Sequence, residues 1–414
     1  MATTIPEVVA LHARQRPDSP AVITWSAAEC STITYGQLSQ HIAATQLWLK
    51  DWWPAAQGAA QGGLLAILAE NSASYLVSSL ACMANGGVAL HLDCSMSAAQ
   101  LGAQLHQLQC RALLVSRAFD EHGNRAAAHA AGMGSDVRVA TLPILVRGGA
   151  PAQAAPSGGG GRTAVVVFTS GSTGTPKAIQ HTHGGLLWWA RSYTAHLPEV
   201  FSSPPEQSGS MSFAPFSHVT GFVADAVLNL TQGAPLYVLA DAAQLLTPQL
   251  LLEAATALRP ATLNTAPVLV DGLCALLREG HPLAPALGRL RLLTYGGAAL
   301  HSRCAATLRA HGVASACTYG QTETAGPVMV GEVSGDPNAL RPIGGARYGL
   351  MRREGAAEGA AETAAEGAAE GAGELLLIGL GCVSPFPGGG RVSESAARGE
   401  SGGREEGGGG RGGP

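Results

Sequence analysis

TAVVVFTSGSTGTPKAIQHTH, residues 163–183, decides the fold. It opens on an unbroken apolar run ending at Phe168, rich in β-branched residues and of strand length. Such a run fits a strand buried on both faces. It passes directly into Thr169-Ser170-Gly171-Ser172-Thr173-Gly174-Thr175-Pro176-Lys177. Glycines there let the backbone turn and aim N–H groups at an anion. The hydroxyls add neutral donors, and Lys177 adds a point charge. That inventory suits a polyphosphate. A Walker loop would end in Gly-Lys-Ser/Thr, whereas this one ends in Pro176-Lys177-Ala178. A plain Ser/Gly linker is disfavoured, because the loop follows a buried strand and holds one of only two lysines, the other being Lys50.

Outward from this stretch, residues 64 to about 330 alternate strand and helix. Strands are expected at 64–70, 88–92, 112–116, 137–142, 235–239, 261–265, 290–295 and 314–319. Ser72 is placed to cap a helix carrying Leu76, Leu80 and Met83, which Gly86 and Gly87 end. Thr247-Pro248 reads as a cap followed by proline at the first helical position. Short apolar strands alternating with helices predict an α/β fold of doubly wound, mostly parallel sheets.

Composition sets further bounds. A net charge of −4 excludes a basic nucleic-acid binder. A hydrophobic fraction of 46% excludes disorder throughout. No apolar run approaches the ~20 residues of a membrane helix, and the N-terminus lacks the basic start of a signal peptide. The eight cysteines show no CxxC spacing and read as buried, reduced thiols, so a cytoplasmic location is expected. Glycine is abundant, 55 of 414 residues, but unevenly placed. Glutamates at 354, 358, 362, 366, 370 and 374 recur every four residues among Gly and Ala. Like charges at that spacing repel on a helix, so 354–373 is expected to be a solvated low-complexity insert. The tail from 388 to 414 has 12 glycines and one large aliphatic residue, Val392, and is not expected to fold alone.

The loop TSGSTGTPK closely resembles the phosphate-loop signature of the adenylate-forming superfamily: acyl-CoA synthetases, luciferase-like ligases and peptide-synthetase adenylation domains. Other blocks resemble the family in its order. They are ITYGQLSQHIAATQLWL (33–49), the segment 64–93, SFAPFSHVTGF (212–222), LLTYGGAAL (292–300), TYGQTETAG (318–326) and GELLLIG (373–379). The resemblance covers residues 5–350 and this last short strand, and implies the family's large domain in two packed subdomains over 1–353, with a returning strand at 374–381.

The resemblance implies ATP, Mg²⁺ and a thiol acceptor, either CoA or phosphopantetheine, with a small carboxylic acid as substrate and an acyl-carrier domain as a further partner. It places Thr169, Ser170, Gly171, Ser172, Thr173, Gly174 and Lys177 on the β- and γ-phosphates. Thr322 would contact the α-phosphate and Glu323 would bind Mg²⁺, a hard cation that prefers oxygen. Tyr319 would lie against the adenine, with Gly296, Gly297, Ala298 and Gly320 offering backbone close by. Phe216 and His218 would stand at the substrate carboxylate, His218 stabilising charge or gating the site. On the residues alone, His218 reads equally well as a core or helix-capping histidine. Amino-acid-activating members carry Asp after the Phe of this block, whereas Phe213 is followed by Ala214. An acid without an α-amino group is therefore expected.

The family's smaller C-terminal domain carries a catalytic Lys and follows a Thr-Gly-Asp segment. No lysine follows Lys177, and no Thr-Gly-Asp follows residue 379. The expectation is the large domain alone, with 382–414 a disordered tail and adenylation impaired. An adenylation module of a carrier-dependent synthetase or reductase, and a non-catalytic nucleotide-binding fragment, are the alternatives.

Overall fold

The structure is a computed structural model. It describes residues 2–53, 63–145, 159–169, 176–212, 214–240, 246–298, 300–334 and 340–344, and the backbone of strands 347–351, 374–378 and 383–385. The insert 354–373, the tail beyond 385, Ser170–Thr175 and Phe213 lie outside the described residues.

In chain order the strands are β1 (Pro20–Trp25), β2 (Cys30–Thr34), β3 (Leu64–Leu68), β4 (Val88–His91), β5 (Ala112–Val115) and β6 (Arg138–Thr141). There follow β7 (Thr163–Phe168), β8 (Ala178–Thr182), β9 (Ser210–Met211), β10 (Leu236–Leu239), β11 (Thr262–Thr265) and β12 (Leu292–Gly296). The last are β13 (Ser315–Gln321), β14 (Gly326–Gly331), β15 (Leu340–Pro342), β16 (Arg347–Met351), β17 (Glu374–Ile378) and β18 (Val383–Pro385).

A seven-stranded sheet has the order β18-β8-β7-β4-β3-β5-β6. Its β7-β4-β3-β5-β6 portion is parallel, and β8 and β18 add antiparallel at one edge. A six-stranded sheet runs β15-β14-β13-β12-β11-β9, parallel from β13 to β9 and antiparallel at β14 and β15. A third sheet has the order β10-β1-β2. These sheets belong to one compact unit. A separate unit holds the antiparallel pair β16-β17, with Met351 opposite Glu374. The doubly wound α/β expectation holds. The strands the alternation missed, β1, β2, β8, β9, β14, β15 and β18, are the third-sheet pair, edge strands and antiparallel additions, where the βα rhythm is broken; β18 also corrects the expectation of a disordered tail from 382, since Val383–Pro385 pairs with β8.

Local chemistry explains the helices. Ser72 accepts a bond from the Tyr75 N–H at 3.1 Å and opens the helix Ala73–Ala84, the expected cap. Thr247 accepts from the Leu250 N–H at 3.1 Å, with Pro248 in the first turn of Pro248–Leu258. Thr34 and Gln37 form a reciprocal capping box at the start of Tyr35–Trp52. One core joins Leu263 and Leu293 of the six-stranded sheet to Leu251, Val270 and Leu308 on helices. A second joins Ala66, Leu90, Leu113 and Val166 to Leu101 and Ala126.

No disulfide links the seven described cysteines. Cys82, Cys110, Cys274 and Cys304 are buried, but Cys30 is exposed on β2, a correction to the expectation that all are buried thiols. No helix among the described residues is long and apolar enough to cross a membrane.

Buried histidines, His91 and His183 among them, make the fold acid-sensitive. Burial first, and for His183 also the nearby Arg162 charge, lowers His91 and His183 to about 4. An unfolded chain would protonate both near 6.5. As pH falls below 6.5 the unfolded state therefore takes up protons that the folded state refuses. Stability drops until about pH 4, by about 3 kcal/mol for each ring. Urea unfolding at pH 7 and pH 5 is expected to show this loss, with a shallower slope in His91→Gln; an equal slope would rule out His91 as a source.

Candidate functional site

A cleft of about 630 Å³ opens where the parallel strands of the six-stranded sheet end. Ser212 follows β9, Thr265 and Ala266 close β11, Gly296 and Gly297 close β12, and Gln321 and Thr322 close β13; all of them line it. Crevices at the carboxyl ends of parallel strands are where open α/β sheets bind ligands. The seven-stranded sheet contributes Thr169 and Lys177, from the end of β7 and the start of β8. These two residues are tied together: the Thr169 N–H donates to the Lys177 carbonyl at 3.0 Å, and the Lys177 N–H donates to the Thr169 hydroxyl at 3.2 Å. The Gly/Ser/Thr loop thus springs from a closed base, with Phe168 paired to Ala178 behind it.

Glu323 enters the cleft from the tight turn Thr322–Thr324. The buried Thr324 hydroxyl holds that turn, accepting from the Gln321 N–H at 2.9 Å and donating to the Gly326 carbonyl at 2.7 Å. Ala325, at φ +60°, then reverses the chain into β14. At Gly320 an added Cβ would stand 2.3 Å from the Gly326 carbonyl oxygen, so bare backbone is the cleft wall there. Gly297, at φ +87°, faces open space.

His218 lines the cleft and also caps a short helix, its Nδ1 accepting from the Thr220 N–H at 3.1 Å. The helix-capping reading is therefore realised, on a ring that also lines the cleft. The cleft walls desolvate the ring and lower its pKa, an effect the Asp93 carboxylate opposes. Nδ1 acts as acceptor, so the neutral ring carries its proton on Nε2, which can donate to a ligand oxygen.

The loop before His218 is clamped from the other sheet. Asn71 donates from Nδ2 to the Ala214 carbonyl at 2.9 Å and accepts from the Phe216 N–H at 2.7 Å. His91 Nδ1 donates to the Phe216 carbonyl at 2.9 Å, while the Ser79 hydroxyl donates to His91 Nε2 at 3.0 Å. Phe216 itself is buried behind the wall, its ring edge-on to Tyr75 at 5.3 Å.

Of the expected site residues, Thr169, Lys177, His218, Gly296, Gly297, Gly320, Thr322 and Glu323 share this cleft. Tyr319 sits beside it, its hydroxyl accepting from Gln321 Nε2 at 2.8 Å, and Ala298 is exposed just past Gly297. Ser170, Gly171, Ser172, Thr173 and Gly174 lie outside the described residues. Sequence reasoning missed Ser212, Asn264, Thr265, Ala266 and Pro327 on the walls. A signal existed for three of them: they close a strand that the alternation had placed at 261–265.

The model of the AMP-binding enzyme family matches residues 9–358. The chain belongs to the AMP-binding enzyme family. Its members are adenylate-forming ligases, as the phosphate-loop resemblance implied. A nonribosomal peptide synthetase of Aspergillus campestris is 31% identical over 227 residues, 54% of this chain and 2% of that protein. The medium-chain fatty-acid–CoA ligase of Escherichia coli is 29% identical over 177 residues, 41% of this chain and 28% of the ligase. The chain therefore spans under a third of the length of these relatives. Among solved structures, a benzoate CoA ligase of Burkholderia xenovorans superposes with a TM-score of 0.74 at 18% identity, over 92% of this chain and 72% of the ligase. The O-succinylbenzoate coenzyme A synthetase of Bacillus subtilis, solved with ATP and magnesium, gives 0.70 at 20% identity, over 94% and 74%. At such identities the likeness establishes the fold of this AMP-binding family member and nothing finer.

The cleft's own chemistry fits Mg·ATP. It offers a carboxylate as a hard oxygen donor in Glu323, an ammonium in Lys177, and bare backbone at Gly297 and Gly320 for close approach.

Proposed function

We propose that this chain binds Mg·ATP in the cleft and activates a carboxylic acid as its acyl-adenylate, with a thiol as the subsequent acceptor. The carrying observation is the convergence of Lys177, His218, Thr322 and Glu323 on one cavity from two sheets. In the first step a carboxylate oxygen attacks the α-phosphorus and the bond to pyrophosphate breaks. The thiol then attacks the acyl carbon and AMP leaves. The acid is already ionised at neutral pH, so the first step needs positioning and charge neutralisation rather than a base. Magnesium, when bound, supplies charge neutralisation on the phosphates. Lys177 holds the outer phosphates, Glu323 offers the metal its oxygen, and His218 donates from Nε2 to the acid or the α-phosphate.

The substrate is an acid without a free ammonium. Glu323 is the one carboxylate among the described residues on the cleft wall. Asp225 is buried away from it, its carboxyl accepting from Asn229 Nδ2 at 3.2 Å and its pKa pushed up by burial. A substrate ammonium would need a placed carboxylate partner. CoA is the proposed thiol; the peptide synthetases among the relatives favour a carrier-bound pantetheine as the second reading.

The test is acid-dependent exchange of pyrophosphate into ATP across aryl, fatty and amino acids. Exchange with aryl or fatty acids is expected. It is expected to be slow for these 414 residues alone, which hold no lysine beyond Lys177. Exchange confined to amino acids would overturn the substrate assignment. Binding of Mg·ATP with no exchange for any acid would favour a nucleotide-binding role.

A further inference from the structure

Asn264 lies on β11, the strand between β9 and β12. Asparagine is uncommon in strands, and its neighbours Thr262, Leu263 and Thr265 are buried residues of the kind a central strand carries. Register sets its surroundings. It pairs with Thr294 on β12, and the pairing of Leu263 with Met211 brings it level with Ser212 at the end of β9. Side chains alternate along a strand, so Asn264 shares a face with Thr262. Both, with Ser210 and Thr294, line a cavity of about 10 Å³ backed by Trp189. Asn264 and Pro327 line the large cleft as well, which makes them the partition between the two spaces.

Two features of this partition bear on the acid. Behind it there is room for about one water molecule, and Ser210, Thr262 and Thr294 there are buried hydroxyl residues. That space cannot take an alkyl chain. In front of it, the Asn264 amide has no hydrogen-bond partner among the described residues and offers both a donor and an acceptor. Beside it, the Ser212 hydroxyl accepts from the Ala214 N–H at 3.1 Å and keeps its own proton to donate. Ser212 opens the segment that ends at His218, and both line the cleft. The acid assigned to His218 therefore shares this wall with Asn264.

We propose that Asn264 is a specificity-determining residue and that the acid it selects is compact and hydroxylated, aryl or short-chain, its hydroxyl held by the Asn264 amide and the Ser212 hydroxyl. The inference rests on the carboxylate-activating reading above and narrows it. A substrate hydroxyl donates to the Asn264 carbonyl oxygen and accepts from the Ser212 O–H, so both polar tips are satisfied. The unsubstituted acid leaves them facing an apolar surface, and a site built to bond a hydroxyl rejects the analogue lacking it for that reason. A longer alkyl tail meets the partition and the filled interior behind it.

The test is calorimetric titration of acids into the protein with AMP present. It compares benzoate with its monohydroxy derivatives, butyrate with its own, and both with octanoate. At least one hydroxylated acid is expected to bind about tenfold more tightly than its parent, the worth of one or two hydrogen bonds, and octanoate is expected to bind more weakly than butyrate. In Asn264→Leu, which keeps the size and removes the amide, the preference for the hydroxyl should shrink to about twofold or less. Parents that bind as tightly as every hydroxylated partner overturn the proposal. So does octanoate binding as tightly as the best acid of the panel, or a preference that survives in Asn264→Leu. Should Asn264→Leu not fold, the side-chain amide NMR signal of Asn264 in wild type decides. A shift with the preferred hydroxylated acid but not with its parent is expected, and an unmoved signal overturns the proposal. If no acid binds while Mg·ATP does, the carboxylate-activating reading falls and this inference falls with it, a different result from binding without preference.

Discussion

Lys177→Ala weakens ATP binding about tenfold to a hundredfold and leaves AMP binding unchanged. A hydrogen bond to a charged group contributes about 1.5–3 kcal/mol, and each 1.4 kcal/mol is about a factor of ten in affinity. Lys177 stands at the closed base of the loop, exposed to the cleft, with its backbone pinned to Thr169. Only the outer phosphates distinguish ATP from AMP, so the two ligands separate this role from a general loosening of the cleft. An exposed ammonium is also screened by salt, so the gap between wild type and variant should narrow as ionic strength rises. Titrations with both nucleotides at two salt concentrations check this. Equal losses for ATP and AMP would mean that Lys177 does not serve the outer phosphates.

Trp189→Ala is expected to destabilise the protein by about 3–5 kcal/mol, the usual cost of emptying a large buried aromatic site. That is a large part of a typical domain's stability. Trp189 is fully buried on the helix His183–His196, its Nε1–H donating to the Pro327 carbonyl at 2.8 Å and its ring stacked on Tyr193 at 5.4 Å. A Cβ on Gly326 would stand 2.7 Å from its ring. Gly326 and Pro327 both line the cleft, so this one side chain backs that wall. Trp189→Phe keeps most of the volume but leaves the Pro327 carbonyl unpaired, for a smaller loss of about 1–3 kcal/mol. Urea unfolding orders the three proteins. A loss below about 1 kcal/mol in Trp189→Ala would mean the helix is not what supports that wall.

What the sequence made legible was local. The run into Phe168, the loop to Lys177 and the caps at Ser72 and Thr247 each declare themselves within a few residues, because sterics and capping chemistry act over that range. What it hid depends on distant partners. Asn71 clamps the loop of Ala214 and Phe216 across more than 140 residues, and nothing beside Asn71 in the chain announces it. Strand β9 has two residues, too few for any periodicity. The reversal into β14 uses an alanine, Ala325, in a conformation that glycine would have advertised. Asn264, Thr265 and Ala266 reach the cleft only because β11 lies between β9 and β12, an order set by sheet pairing rather than by neighbouring residues. The Thr169 and Lys177 side of the cleft was therefore readable as a motif, while the walls around it emerged with the fold.

The most direct measurement is calorimetric titration of the unmodified protein with ATP in the presence and absence of Mg²⁺. One binding site per chain, tightened by Mg²⁺ and displaced by AMP, is the expected result. No binding of ATP under either condition would contradict the assignment of this cleft as a nucleotide site.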